Sequence, residues 1–323
     1  MFLYTVPEYK FLLSLRRNKY IPTPEIMVYE SYAAKVQALT TQFSAAGTTD
    51  PLALRQQLQE WFATHASEFV LYVLQDCALR YPAKEQSFFQ EVAAELLDED
   101  TQKTMTPEQM VDVVMADSGF GEVLKQAGSL ARRGRNDKEL ECALGYLLVG
   151  MGVPCAQHCA MADLSLRSAI GLLAPSAAHI ALFGTQMGSA VWCKSNMTKR
   201  LDDLIAKIKS TTKPELCYVA TCAQNVTVAM VKQLNKAHIK LLTLPDNMQR
   251  IQALAPRARL DIVSFEQWGE HMRMLFRDCE NQVRAHPEEY EDVWQHYQNM
   301  MTEMQDFPLM VQFYQELLAA KPQ

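Results

Sequence analysis

The segment SAVWCKSN, residues 189–196, is a short apolar run that ends in a lysine and a polar turn. Its length and apolar character are typical of a buried strand. A second apolar run, HIALFG at residues 179–184, lies just upstream, and residues 185–188 separate the two. Two short apolar runs that flank a short turn predict a β-hairpin. We therefore expect residues 179–194 to form the first part of a sheet.

The sequence downstream of this hairpin alternates between strand-like and helix-like segments. Short apolar runs stand at LCYVATC (216–222), IKLLTL (239–244) and LDIVSF (260–265), and helical stretches occupy 198–210 and 224–237. Strands that alternate with helices indicate a sheet covered on its faces by helices. The sequence thus predicts a central α/β domain with a small mixed sheet over residues 126–268.

The flanks of this central region carry helical patterns. Apolar residues in 52–80 recur at spacings of three, four and seven, with Asp50 and Pro51 as a start signal and Tyr81-Pro82 as a stop signal. Further helices are expected over 84–97 and from Thr106. The fold class is therefore mixed α+β, with a helical N-terminal domain (1–125), the α/β domain and a helical C-terminal tail (269–323).

The composition limits the classes of function. The chain has 323 residues, is 49% hydrophobic, and carries a formal net charge of −6. A mildly acidic balance does not favour a protein that binds nucleic acid through an overall basic surface. No apolar run reaches the roughly 18 residues typical of a spanning helix, and no signal peptide is recognisable. We expect a cytoplasmic protein without membrane insertion, whose eight cysteines are reduced.

The order of elements over residues 137–245 is helix, irregular segment, hairpin, helix, strand, helix, strand. It resembles the core of the PD-(D/E)xK nucleases, the restriction-endonuclease-like fold. In that family an acidic residue enters at the start of one hairpin strand, and the next strand carries Glu or Asp, one residue, then Lys. Residues i and i+2 of a strand face the same side, so the carboxylate can hold Mg²⁺ beside a lysine that orients the attacking water.

The match to this motif is incomplete. Lys194 corresponds to the motif lysine, but the carboxylate two residues earlier is replaced by Trp192, and the metal aspartate would fall near His179. Tryptophan cannot bind a hard cation, and Mg²⁺ prefers oxygen to imidazole nitrogen. The alternative interpretation of VWCK is a buried strand that ends in a solvated lysine.

The resemblance implies a specific set of catalytic residues if the chain is an active Mg²⁺-dependent nuclease. The resemblance supplies Lys194 and Glu139, with Glu141 as an alternative to Glu139 for the auxiliary acidic residue of the preceding helix. Asp163 completes the set as an acid that would have moved into the role of a missing metal carboxylate. A further alternative is a nucleic-acid-binding protein that does not cleave. Its phosphate contacts would come from the basic cluster of Arg132, Arg133 and Arg135.

The missing carboxylates and the apolar helical flanks favour a different main hypothesis. It is a non-catalytic adaptor or structural subunit of a larger bacterial multiprotein assembly, for example in secretion or defence, without a cofactor and with other proteins as partners. The C-terminal tail has more large apolar side chains than a solvated helix needs, so it either packs back on the body or docks a partner. The candidate partner-binding residues are Trp294, Met300, Met301, Met304 and Phe313.

Two cysteine-based sites are weaker alternatives. CAQHC at 155–159 with Cys217 and Cys222 does not have the paired spacing of zinc ligands. A cysteine nucleophile would need Cys193 or Cys222 to meet a histidine in space, and nothing in the sequence marks such a pair.

Overall fold

The structure is a computed structural model that describes residues 23–117, 121–122, 135–157, 171–184, 187–197, 201–211 and 217–321. The chain divides into two compact units. One comprises Met1–Met27 and Gln75–Asn136, and the other comprises Val28–Leu74 and Asp137–Gln323. The three domains expected from the sequence, with limits at 125 and 268, stay a prediction.

Six helices precede the first strand in the described part of the chain. They are α1 (Pro24–Ala45), α2 (Pro51–Thr64), α3 (Ala66–Leu96), α4 (Glu99–Thr104), α5 (Pro107–Ala116) and α6 (Arg135–Gly150). The start signal at Asp50 is confirmed, because its carboxylate accepts a hydrogen bond of 2.8 Å from the Ala53 amide. Thr106 forms a capping box with Gln109 at the start of α5.

The predicted helix over 52–80 differs from the observed helices at both its middle and its end. The chain leaves helical geometry at His65, which separates α2 from α3. α3 then continues through Pro82, where a stop was expected. An internal proline costs about 3 kcal/mol. The residues Cys77 and Phe88 on either side of Pro82 are buried, and burial of apolar side chains is a favourable term that opposes this cost.

The unit that contains Gln75–Asn136 has a small core of its own. Gln102 Nε2 donates to the carbonyl oxygens of Ala94 and Leu97 at 2.6 and 2.7 Å, which satisfies the C-terminal end of α3. The buried core residues come from α3, the segment after it, and α5: Phe88, Val92, Ala93, Leu96, Leu97, Met110 and Val114.

The other unit contains a six-stranded mixed sheet in the order β1 to β6. The strands are β1 (Ala156–Gln157), β2 (Leu172–Ala174), β3 (Ser189–Cys193), β4 (Cys217–Thr221), β5 (Lys240–Thr243) and β6 (Ile262–Ser264). β1, β2 and β3 pair antiparallel, whereas β3 to β6 are parallel, with Val191 opposite Tyr218 and Val219 opposite Leu241. The small mixed sheet predicted for the central region is confirmed.

Helices connect the parallel strands and cover one face of the sheet. They are α8 (Leu201–Thr211), α9 (Val228–Lys236) and α10 (Pro245–Leu254). Their buried residues Leu204, Val231 and Ile251 share one hydrophobic cluster with Trp192 of β3 and Val219 of β4. The strands alternate in side-chain direction, so the neighbours of Trp192 along β3 face away from this cluster.

The segment HIALFG forms a helix rather than the predicted strand. This helix, α7 (Ala177–Phe183), begins at Ser176, whose hydroxyl oxygen accepts a hydrogen bond from the His179 amide at 3.3 Å. The antiparallel neighbour of β3 is β2 instead. A short apolar run has the same appearance in a buried helix and in a buried strand, and here the serine cap favours the helix.

The C-terminal part of the chain is helical, as predicted. It contains α11 (Phe265–Ala285), a 3₁₀ turn (Pro287–Glu289), α12 (Glu291–Glu303) and α13 (Pro308–Ala319). The whole is the mixed α+β class expected from the sequence. None of the helices in the described part combines the length and apolar character that a bilayer crossing needs.

Candidate active site

Lys194 lies at the carboxyl end of β3 and is held there by its backbone. Its amide donates a hydrogen bond of 2.9 Å to the carbonyl oxygen of Ala220 in the parallel neighbour β4. Its Nζ lies 2.8 Å from Oδ2 of Asp137, in the first turn of α6. The lysine is therefore not a freely solvated strand end but one half of an ion pair with α6.

Asp137 is held by three hydrogen bonds. Besides the bond from Lys194, its Oδ1 accepts from the amide and the hydroxyl of Ser195, each at 2.6 Å. Burial acts to raise the pKa of this carboxyl, but the hydrogen bonds from Lys194 and Ser195 outweigh burial and leave the pKa below its ordinary value. Asp137 is consequently ionised at neutral pH.

A second carboxylate, that of Glu141, lies one turn further along α6. Residues i and i+4 of a helix lie on one face, so Glu141 and Asp137 point to the same side. Glu141 is buried and forms an ion pair of 2.7 Å with Lys138. A Cβ added to Gly171 would lie 2.5 Å from Glu141 Oε2, which places this carboxylate against the chain just before β2.

The thiol of Cys193 connects these carboxylates to β3. Burial raises its pKa well above the ordinary value, and the charges of Glu141 and Asp137 raise it further. Because Trp192 packs against α8 and side chains alternate along a strand, Cys193 lies on the opposite side of β3. The acidic face of α6 and the end of β3 thus form one site.

Trp192 faces the opposite side of the sheet. It is 4% exposed and packs with Leu204 and Ile208 of α8. The residue two positions before Lys194 is thus a core anchor, and β3 ends at Cys193 before the lysine is reached. The nearby carboxylates come from a helix that the strand motif does not include.

His179 is a structural residue of the core. Its Nδ1 lies 2.7 Å from Ser176 Oγ and its Nε2 lies 3.1 Å from Tyr297 Oη on α12. Burial lowers its pKa to about 3, with a further contribution from His296. Because position 179 is on α7, the expected correspondence with an acidic residue at the start of a hairpin strand is wrong.

The other predicted site residues are placed as follows. Glu139 is buried on α6, between the two carboxylates in sequence. The Arg135 guanidinium lies 3.8 Å from the centre of the Tyr81 ring, within the first unit. Asp163, Arg132 and Arg133 lie outside the described residues.

The predicted partner-binding residues of the tail are largely occupied within the chain. Trp294, Met300 and Phe313 are buried, and Met301 and Met304 are half-buried. Packing of the tail against the body of the same chain therefore accounts for the burial of these side chains.

The cysteines do not form a metal site in the described part of the chain. Cys155, Cys193 and Cys217 are buried, Cys222 is half-buried, and His158 and Cys159 lie outside the described residues. Among the described residues, the cluster with ligand atoms within 4.8 Å of one another is the exposed set His286, Glu288 and Glu289.

Sequence reasoning did not identify Asp137 and Gly171 as site residues. Asp137 has the properties of a helix-capping residue, and its partner Lys194 lies 57 positions away, so the pair has no local signature. The available signal was the DKELE segment at 137–141, whose two ends place carboxylates on one helix face.

Comparison with known proteins gives matches over nearly the whole chain. No protein-family model matches. The chain is 21% identical over 319 residues to the type II restriction enzyme SsoII from Shigella sonnei, covering 97% of each protein. It superimposes on metal-depleted Ecl18kI in complex with uncleaved, modified DNA with a TM-score of 0.71, 19% identity, and coverage of 98% of this chain and 100% of the other. The restriction endonuclease PspGI in complex with substrate DNA gives a TM-score of 0.53 at 11% identity, with coverage of 80% and 94%.

These matches correct the main functional hypothesis. The adaptor hypothesis and its emphasis on protein–protein interaction are wrong, because the similar proteins are restriction enzymes over their full lengths. The adaptor hypothesis gave most weight to the two missing strand carboxylates, whereas Lys194 pairs with Asp137 of α6. The chain has the restriction-endonuclease-like fold.

Proposed function

We propose that this chain is a Mg²⁺-dependent DNA endonuclease of the type II restriction class. The observation that carries the proposal is the placement of Lys194 against the acidic face of α6, in a chain that matches a restriction enzyme from end to end. The similar structures of Ecl18kI and PspGI are complexes with DNA, which supports DNA as the substrate.

The carboxylates on the acidic face of α6 are the kind of donor that Mg²⁺ prefers. Mg²⁺ takes oxygen ligands and is commonly held by one or two carboxylates, with waters and substrate phosphates in the remaining positions. Asp137 and Glu141 supply two carboxylates from one helix face, and each is already paired with a lysine. When bound, Mg²⁺ supplies Lewis-acid stabilisation of the charge on the phosphate.

Lys194 and Asp137 have different roles in the proposed reaction. The Lys194 ammonium is positioned by Asp137 and by the β4 backbone, so it can neutralise charge that develops on a phosphate oxygen without having to be ordered first. The three hydrogen bonds to Asp137 keep that carboxylate ionised and fixed. Asp163 and Glu139 stay candidates for further acidic contributions.

The two carboxylates of α6, Asp137 and Glu141, also give a reason why a cation would be needed at this site. DNA carries one negative charge per about 1.7 Å of helix axis, and a phosphate that approaches two carboxylates is repelled. A divalent cation removes that repulsion. Cleavage should therefore depend on Mg²⁺ at this site, and DNA binding should weaken as the salt concentration rises.

The test is digestion of long DNA of heterogeneous sequence by the purified protein. With Mg²⁺ or Mn²⁺ we expect discrete fragments, since restriction enzymes cut at particular sequences, and with EDTA we expect intact DNA. DNA that stays intact with either metal, at a protein concentration that saturates binding, overturns the proposal.

A further inference from the structure

We propose that Glu141, from α6, occupies the place that a strand carboxylate holds in metal-dependent nucleases with this fold, and that Gly171 makes room for it. The inference rests on the proposed function and deepens it by naming a metal ligand. It also accounts for the absence of an acidic residue at the described start of β2.

The geometry at Gly171 carries the argument. An added Cβ would lie 2.5 Å from Glu141 Oε2, 3.1 Å from its Cδ and 3.1 Å from the Val191 carbonyl oxygen. Cβ atoms in proteins essentially never approach a heavy atom more closely than 3.0 Å. Any side chain at position 171 must therefore displace the Glu141 carboxylate from its present place.

This place lies beside the antiparallel pair that carries Lys194. Gly171 directly precedes Leu172 of β2, and Leu172 pairs with Val191 of β3. An acidic side chain on Gly171 would begin where the Glu141 carboxylate now ends. One carboxylate can thus reach this point from the strand or from the helix, but not both together.

The burial of Glu141 supports a role beyond surface charge. Its side chain is 9% exposed and that of its partner Lys138 is 15% exposed. A carboxylate withdrawn from water loses hydration and needs compensating positive charge. Lys138 provides this charge here, and a bound divalent cation would add to it.

The test exchanges the two positions. Titration calorimetry with Mn²⁺ alone measures metal affinity, and cleavage of duplex DNA is followed separately. We expect Glu141→Ala to weaken Mn²⁺ binding at least tenfold. The double variant Glu141→Ala/Gly171→Asp, in which the strand supplies the carboxylate, should recover most of that loss.

Two further variants keep the test decisive. Gly171→Ala adds only the Cβ that meets Glu141, so it should also weaken Mn²⁺ binding, and it decides the question if the double variant does not fold. Glu303→Ala removes an exposed carboxylate at the end of α12 and serves as the control, with unchanged affinity expected.

The outcomes separate the ligand assignment from the proposed function. Unchanged Mn²⁺ affinity in both Glu141→Ala and Gly171→Ala overturns the assignment, even where DNA is still cut. If these variants bind Mn²⁺ more weakly but the wild-type protein never cuts DNA, Glu141 is supported as a metal ligand and the proposed nuclease function is rejected.

Discussion

Lys194 and Asp137, 57 residues apart in sequence, form an ion pair of 2.8 Å between the end of β3 and the first turn of α6. Lys194 lacks the carboxylate that the nuclease motif places two residues before the lysine, and it pairs instead with Asp137, which is not part of that motif. The side chains of the pair are partly solvated, at 37% and 28% exposure. Pairs with this much exposure contribute little to stability, typically below about 1 kcal/mol, so a role in positioning explains the geometry better.

The substitution Asp137→Asn tests this positioning role. It keeps the shape of the side chain but removes its charge, so Lys194 loses its ionic partner while Ser195 can still bond to an oxygen. We expect a fall in DNA cleavage of at least tenfold with a Tm within a few degrees of wild type. Ser195→Ala removes the hydroxyl and leaves the amide bond and the ion pair, and it should reduce cleavage less. Equal rates for wild type and Asp137→Asn would exclude the role.

The stability of the fold should fall in acid because of buried histidines. Burial lowers the pKa of His179 to about 3 and that of His296 to about 4, whereas an unfolded histidine titrates near 6.5. Between these values the unfolded state binds more protons, so the free energy of unfolding decreases as the pH falls from about 6.5 towards 4. Each histidine should account for about 2 kcal/mol between pH 6.5 and 5.

Urea unfolding at several pH values measures this dependence. His179→Gln removes one titrating group, so its free energy of unfolding should change less steeply with pH than that of wild type. An identical slope in the variant would show that His179 does not titrate differently in the folded and unfolded states.

The hydrogen bond between Tyr297 and His179 should stabilise the packing of α12 on α7. Tyr297→Phe removes the hydroxyl that lies 3.1 Å from His179 Nε2 and leaves a buried imidazole nitrogen without that partner. We expect a loss of about 1–3 kcal/mol in the free energy of unfolding. Tyr314→Phe is the matched comparison. It also removes the hydroxyl of a buried tyrosine, but this hydroxyl donates to the carbonyl oxygen of Cys155 at 2.8 Å. A Tyr297→Phe protein as stable as wild type would count against this interpretation.

Trp192 should behave as a core residue and not as a degraded metal position. Trp192→Ala creates a cavity between β3 and α8, and we expect it to cost about 3–5 kcal/mol. Trp192→Glu restores the Glu-x-Lys sequence of the motif but places a carboxylate among Leu204, Ile208 and Val219. This variant should therefore lower the stability of the fold further, and it should not bind Mn²⁺ more tightly than wild type. Tighter metal binding by Trp192→Glu would show that position 192 faces the site after all.

The sequence was sufficient to predict the strands that follow Lys194, because apolar runs that alternate with helices have few other solutions. It was not sufficient for HIALFG, where the decisive signal was the single cap at Ser176 and not the periodicity of the run. The sequence indicated Lys194 and, as an alternative, Glu141, but it did not indicate Asp137 or Gly171. The acidic partner of Lys194 comes from α6, and a contact between positions 137 and 194 depends on the tertiary fold and leaves no trace in local spacing.

The contact between Gly171 and Glu141 likewise depends on the tertiary fold and cannot be predicted from local sequence. A glycine before a strand has many ordinary explanations, and only the position of the Glu141 carboxylate gives it a specific one. In the proposed assignment a helix carboxylate takes the place of a strand carboxylate, which changes the sequence motif completely. A search for the strand motif would miss a site of this kind.

The central claim is that Lys194 serves DNA cleavage at a site built with the acidic face of α6. The most direct measurement is the single-turnover rate of duplex DNA cleavage in Mg²⁺ for wild type, Lys194→Ala and the exposed-lysine control Lys236→Ala. The account predicts a fall of at least a hundredfold for Lys194→Ala, an unchanged rate for Lys236→Ala and similar thermal unfolding for all three. Cleavage by Lys194→Ala at the wild-type rate would contradict it.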